Sequence, residues 1–214
     1  MKTVLIIGLG RFGSTMAMKL HELGHEVMAI DTSEDRINAV LPYVTSAQIG
    51  DCANEQYMNS LGIRNFDVCV VAIGDNFQSS LEITSLLKDL GEIFVLSRAS
   101  RDIHAKFLLR NGADQVVYPE KEMAIRSAVR YSSDNIFDYI ELTPEHSIYE
   151  IPVPEGWIGR SIIEMNIRKK YNISILAVKY NDTLHPLPGA DYTFKANDEL
   201  IILGANRDIN RFVY

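Results

Sequence analysis

Residues 8 to 13 read GLGRFG, the spacing of a loop that cradles phosphate. Gly8 permits a tight turn out of a strand, Gly10 lets a phosphate come against bare backbone, and Gly13 lets the following helix pack closely on that strand. The first N–H groups of that helix have no partner within it, so together with the helix dipole they favour an anion. Asp31, about 20 residues downstream, is the acid that accepts hydrogen bonds from an unphosphorylated adenosine ribose and repels a 2′-phosphate. The pattern points to an adenine nucleotide or dinucleotide without choosing between them. Arg11, the fourth residue of the loop, falls where the dipole is already positive. It reads either as a solvated surface arginine or as a contact to more phosphate charge than the loop neutralises.

Other residues border the same crevice. Asp51 and the segment AIGDN (72–76), with Ala72, Ile73, Gly74 and Asn76, end strands of the sheet, and ligands of such sheets sit outside the strands' carboxyl ends. Asp51 alone fits a turn or capping role equally well. HELGH (21–25) formally matches a zinc-binding H-E-x-x-H, but Gly24 ends the helix before His25, so the two imidazoles do not share a helix face. A hydride-transfer enzyme would need a proton donor on a second domain. The five histidines show no pairing that supplies one. A small NAD-dependent oxidoreductase or NAD-linked redox sensor is therefore the alternative to a binding protein.

The elements that position these residues alternate between strand and helix. TVLIIG (3–8), EVMAID (26–31), TSAQIGD (45–51), DVCVVAIG (67–74), IFVLSRA (93–99) and DQVVYP (114–119) read as strands. Helices are expected at 11–23, 33–41, 54–61 and 76–90, with another ending at Arg110. This order implies right-handed crossovers and a doubly wound, parallel, Rossmann-like sheet over residues 1–131. Residues 132–146 are expected to be a crossover helix and linker. Residues 147–214 are expected to be a small α+β subdomain with strands at 148–153, 173–180 and 198–204 and helices at 161–171 and 206–212. So small a module is expected to pair with a copy of itself.

Composition narrows the class. Of 214 residues, 47% are hydrophobic and 23% charged, as in a globular protein with a real core. The net charge of −7 argues against a broad nucleic-acid surface, so nucleic acid is not an expected partner. Cys52 and Cys69 are too few for a disulfide framework, and the apolar runs Val4–Gly10 and Val68–Gly74 fall far short of the ~20 residues of a membrane span. A cytoplasmic protein is expected.

Several stretches, in order, carry a family likeness: GLGRFGSTMAMKLHELGHEVMAID, LGIRNFDVCVVAIGDN, NGADQVVYPEKEMA and DELIILG. They resemble the RCK family, regulators of potassium conductance, and within it the cytoplasmic regulatory subunits of Ktr- and Trk-type potassium uptake systems. The resemblance implies a non-enzymatic gating-ring subunit that lies at the inner face of the plasma membrane through a potassium-translocating partner. It implies dimers and an octameric ring, homomeric or with a second regulatory subunit. The implied ligand is ATP or ADP, with AMP or NAD(H) as alternatives. Gly8, Gly10, Phe12, Gly13, Asp31 and Thr32 fall in its phosphate- and ribose-binding segments, Asp51 and Cys52 near the adenine, and Arg98 at a phosphate contact. Arg11 matches the arginine that reaches the terminal phosphate of a nucleotide on a neighbouring subunit. Glu120 matches a carboxylate that helps hold a divalent cation, and also suits a plain helix start. In the C-terminal subdomain, Ile173, Ile175 and His185 lie in segments that hold cyclic di-AMP in some members; a plain dimerisation surface is the other reading.

Overall fold

The computed structural model describes residues 1–214, which divide into two compact units, Met1–Glu120 and Lys121–Tyr214. The first holds six parallel strands: β1 (Thr3–Ile7), β2 (Glu26–Asp31), β3 (Ser46–Ile49), β4 (Val68–Val71), β5 (Phe94–Arg98) and β6 (Gln115–Val117). Between them run helices α1 (Arg11–Glu22), α2 (Glu34–Val40), α3 (Glu55–Ser60), α4 (Phe77–Leu90) and α5 (Asp102–Arg110). The strand order is β3-β2-β1-β4-β5-β6, so the chain reverses direction across the sheet between β1 and β4. That reversal opens a crevice at the carboxyl ends of the central strands.

Alternation along the strands explains why helices cover both faces. Leu5, Ile7, Ile30, Cys69, Val71 and Val95 belong to one buried cluster with Met58 of α3 and Ile83 and Leu87 of α4. Val4, Ile6, Val27, Ala29 and Val70 belong to another with Ala17 of α1 and Ile37 and Val40 of α2. Strands buried on both sides are continuously apolar, which is why TVLII and VCVV carry no polar position after Thr3. Asparagine starts two of the helices: the side chains of Asn54 and Asn76 accept from the backbone N–H groups of Tyr57 and Ser79, each at 3.0 Å.

Helix α6 (Pro119–Arg130) leads from the first unit into the second, and the units divide within its first turn, between Glu120 and Lys121. The second unit is an antiparallel sheet of order β10-β9-β11-β8-β7. Its strands are β7 (Asp138–Thr143), β8 (His146–Pro152), β9 (Ile173–Tyr180), β10 (Thr183–Pro186) and β11 (Glu199–Ala205), joined by α7 (Ile162–Met165) and α8 (Ile167–Tyr171) and followed by α9 (Asn206–Val213). Its core gathers Trp157, Phe194, Ile151, Leu200 and Ile202, with Tyr171 and Phe212 packed against it. No helix is long and apolar enough to cross a membrane.

Two expectations need correction here. Residues 132–146 are not a crossover helix and linker: Asp138–Thr143 is a strand paired with β8, Ile140 opposite Ile148 and Tyr139 opposite Tyr149. The tyrosine rings pack 5.0 Å apart, and the Thr143 hydroxyl accepts from the N–H of Glu145 and of His146, turning the hairpin tightly. The expected helix over 161–171 is two short ones. Asn166 sits between them in the left-handed region at φ 47°, a conformation that asparagine tolerates and that interrupts the first helix. Ser161 and Glu164 start α7 with a reciprocal capping box.

Candidate nucleotide site

The glycine loop takes the form its sequence requires. Gly8 has φ +94°, open to glycine and strained for other residues. A Cβ on Gly13 would run into the carbonyl oxygen of Gly8, so close contact of α1 with the strand end depends on that missing atom. A Cβ on Gly10 would meet nothing within 4 Å, leaving space beside the loop. Gly10 caps α1 without a side-chain hydrogen bond, and α1 has no acidic residue in its first turn, so its leading N–H groups face an uncompensated positive dipole.

Asp31 ends β2 and is 6% exposed. Its Oδ2 accepts from the backbone N–H of Leu9 at 2.6 Å and lies 3.4 Å from Nη1 of Arg36, while Oδ1 accepts from the N–H of Ser33 at 2.9 Å. One carboxylate therefore fixes the glycine loop, starts α2 and faces the crevice. Asp51 sits at the next strand end, where its Oδ1 accepts from the N–H of Ala53 at 3.0 Å. That contact closes a turn two residues on; the side chain that caps α3 is that of Asn54.

The crevice is a cavity of about 400 Å³, within the range of small-molecule sites. Gly8, Gly10, Asp31, Thr32, Asp51, Cys52, Ala72, Ile73, Gly74, Asn76 and Arg98 all line it. Burial, then the charge of Asp51 and the nearby Cys69, pushes the Cys52 thiol up to about 12, so it lines the wall as a neutral group. Three of the loop residues expected at the site do not line the cavity. Phe12 packs with Met16 and Leu20 against the sheet core, Gly13 is spent on helix–strand contact, and the Arg11 side chain is exposed to solvent.

Arg98 ends β5 with its side chain 15% exposed and donates through Nη2 to Oε1 of Glu120. Its guanidinium lies along Gly74, where a Cβ would stand 2.5 Å from Nη1. Nε of Arg98 is buried without a hydrogen-bond partner. Glu120 is held below the usual carboxylate range, first by its own backbone N–H at the start of α6, then by Arg98 and by the charge of Arg11. Arg98 and Glu120 thus form one ion pair, with the charge of Arg11 acting on its acid.

Sequence reasoning missed Ile7, Ile30, Arg36, Gly50, Ser79 and Ile83, which also line the cavity. Arg36 carried a readable signal, a cation in the first turn of the helix that follows the ribose acid. The isoleucines read simply as core. In the second unit, a cavity of about 330 Å³ is lined by residues including Ile163, Arg168, Ile173, Ile175 and Pro188, whereas His185 lies on the exposed strand β10 and does not line it.

The TrkA-N domain model matches residues 4–119 and the TrkA-C domain model matches residues 147–213. Ktr system potassium uptake protein A of Bacillus subtilis is 40% identical over 211 residues, covering 99% of this chain and 95% of its own. The GsuK RCK domain has the same fold, with a TM-score of 0.70 at 17% identity over 99% of this chain and 47% of its own. The AMP-bound C-terminal domain of Kef from Shewanella denitrificans has a TM-score of 0.50 at 26% identity, over 57% of this chain and 75% of its own. With a TrkA-N domain followed by a TrkA-C domain, and near full-length identity to a Ktr system protein, the chain belongs to the Ktr/Trk family of potassium uptake proteins.

Proposed function

We propose that this protein is a non-enzymatic regulatory subunit of a membrane potassium transporter, and that it switches on binding an adenine nucleotide. The observation that carries the reading is the Asp31 carboxylate, which is buried, holds the loop through Leu9 N–H and opens onto a cavity at the strand reversal. The family and the AMP-bound Kef domain support it. Gly8 and Gly10 take the phosphates, Asp31 and Thr32 the ribose, and Gly50, Asp51 and Cys52 border the adenine. ATP and ADP are the proposed pair. The protein acts at the inner face of the membrane through its transporter partner, as a self-associating ring.

In such a ring Arg11, exposed on one copy, reads the terminal phosphate of a nucleotide on the next. A ligand shifts a two-state assembly only by its difference in affinity for the states, and a γ-phosphate supplies a contact that ADP lacks. Glu120 alone does not make a cation site, since no group of three or more acidic, histidine or cysteine side chains gathers in the chain. A divalent cation there would need nucleotide phosphates as its other ligands. Cyclic di-AMP is the proposed ligand of the second unit's smaller cavity, with Arg168 the cation beside its phosphates.

The test is a thermal-shift panel of ATP, ADP, AMP, NADH and CTP, with and without magnesium, beside light scattering. A ligand of the native state raises the melting temperature. Adenine nucleotides are expected to do so and CTP much less. No shift from any adenine nucleotide at millimolar concentration would overturn the reading.

A further inference from the structure

Arg98 and Glu120, each matched to a ligand contact by the family resemblance, hold each other in this structure. The strand order decides what that means. Asp31, on β2, lies on one side of β1, and Arg98, on β5, lies beyond β4 on the other. A nucleotide with its ribose at Asp31 and its first phosphate on the loop after β1 must extend its distal phosphates toward Arg98. The guanidinium is pinned along Gly74 with its side chain 15% exposed and lines the crevice, so its Nη groups can take a new acceptor with little movement. The acceptor it now has, Glu120, is 55% exposed in the first turn of α6, the helix that carries the chain into the second unit.

We infer that the Arg98–Glu120 ion pair is a latch that competes with the nucleotide: the distal phosphate takes Arg98 from Glu120, and the freed carboxylate is the local signal of occupancy. The inference rests on the nucleotide reading above. Two anions share one cation, so whichever binds Arg98 weakens the other's hold. Glu120 also feels the charge of Arg11. Coupling of this kind is reciprocal: whatever favours a displaced Glu120 favours phosphate binding by the same factor.

The latch makes an uncommon demand, that removing an acidic residue beside the site tightens binding of one nucleotide and leaves another alone. Isothermal titration of AMP and ADP into the full-length protein, with EDTA to remove divalent cations, compares wild type with Glu120→Gln. Loss of a half-exposed ion-pair competitor should tighten ADP roughly 3- to 10-fold. AMP, whose single phosphate stays on the glycine loop, should change by less than about twofold. Arg98→Gln should weaken ADP toward AMP and abolish the effect of Glu120→Gln. Unchanged or weakened ADP binding in Glu120→Gln, with AMP binding normal, overturns the latch and leaves the nucleotide reading standing. Failure of wild type to bind either nucleotide overturns both.

Discussion

Asp31→Asn tests the site where fold and ligand share one group. The carboxylate accepts two backbone N–H donors, from Leu9 at 2.6 Å and Ser33 at 2.9 Å, in a residue 6% exposed. Asparagine is nearly the same shape but has one oxygen and one amide nitrogen. Whichever way it turns, one of the two N–H groups faces an N–H₂ and loses its partner, and the other keeps a neutral acceptor in place of a charged one. Hydrogen bonds to charged groups contribute about 1.5–3 kcal/mol each and neutral ones about 1. The first unit should lose roughly 2–4 kcal/mol, a fall in melting temperature of roughly 4–16 °C for a chain of this size. The ribose hydroxyls would also meet a weaker acceptor, so ADP affinity should fall roughly 10- to 100-fold. Calorimetric melting and titration of the same preparation read both effects. Asp51→Asn, at an exposed turn with one N–H contact, is the control and should shift melting by less than about 1 kcal/mol. An Asp31→Asn protein that melts within about 1 °C of wild type and binds ADP within about twofold would refute the dual role.

Three further outcomes are expected. His104 of α5 is fully buried against α4, with Nε2 2.6 Å from the Ser80 hydroxyl and Nδ1 facing the Ser100 N–H. Burial, then the charges of Arg101 and Arg98, lowers its pKa from 6.5. The neutral ring is therefore the folded form, and its contribution, complete above pH 6.5, is lost as pH falls through the lowered value, where the unfolded state binds the extra proton. Melting temperature should decline below about pH 6.5, and His104→Gln should flatten that slope; an equally steep decline in the variant would count against it. Cys52 and Cys69, both buried and both pushed up to about 12, should resist a thiol reagent at pH 8 in native protein and react fully in denaturant; rapid native labelling would contradict the burial. Gly74→Val should displace the Arg98 guanidinium that lies along that backbone and weaken ADP more than AMP, read by titration; equal losses for both would place Arg98 away from the distal phosphate.

The first unit was legible because its signals agree at every level. The central strands β1 and β4 are short apolar runs rich in β-branched residues, α3 and α4 start at capping asparagines, and glycines such as Gly24 and Gly62 sit at positive φ where the chain turns. The second unit was less so. The segment 136–142 mixes apolar and acidic residues in a way that fits a helix face as well as a strand, and only pairing with β8 decides it. A proline in the turn at 144 looked like a linker, where the Thr143 hydroxyl in fact closes a hairpin. Long-range partners settle such segments, and a single sequence does not display them.

The site shows the same division in its chemistry. Backbone-shaped requirements are legible: only glycine meets the needs at 8 and 13. What the sequence hides is which charges face one another. Arg98 and Glu120 are 22 residues apart, on a strand end and a helix start, and nothing local joins them. Arg11 is the instructive case. Read along the chain it belongs to the phosphate loop, yet its side chain is exposed, outside the cavity, with its charge acting on Glu120. An arginine that opens the loop's own helix and does not line the loop's own cavity cannot serve that cavity without moving. The reading that keeps it useful assigns it to the nucleotide of an adjacent copy, so a monomeric variant should lose the distinction between ATP and ADP while still binding both.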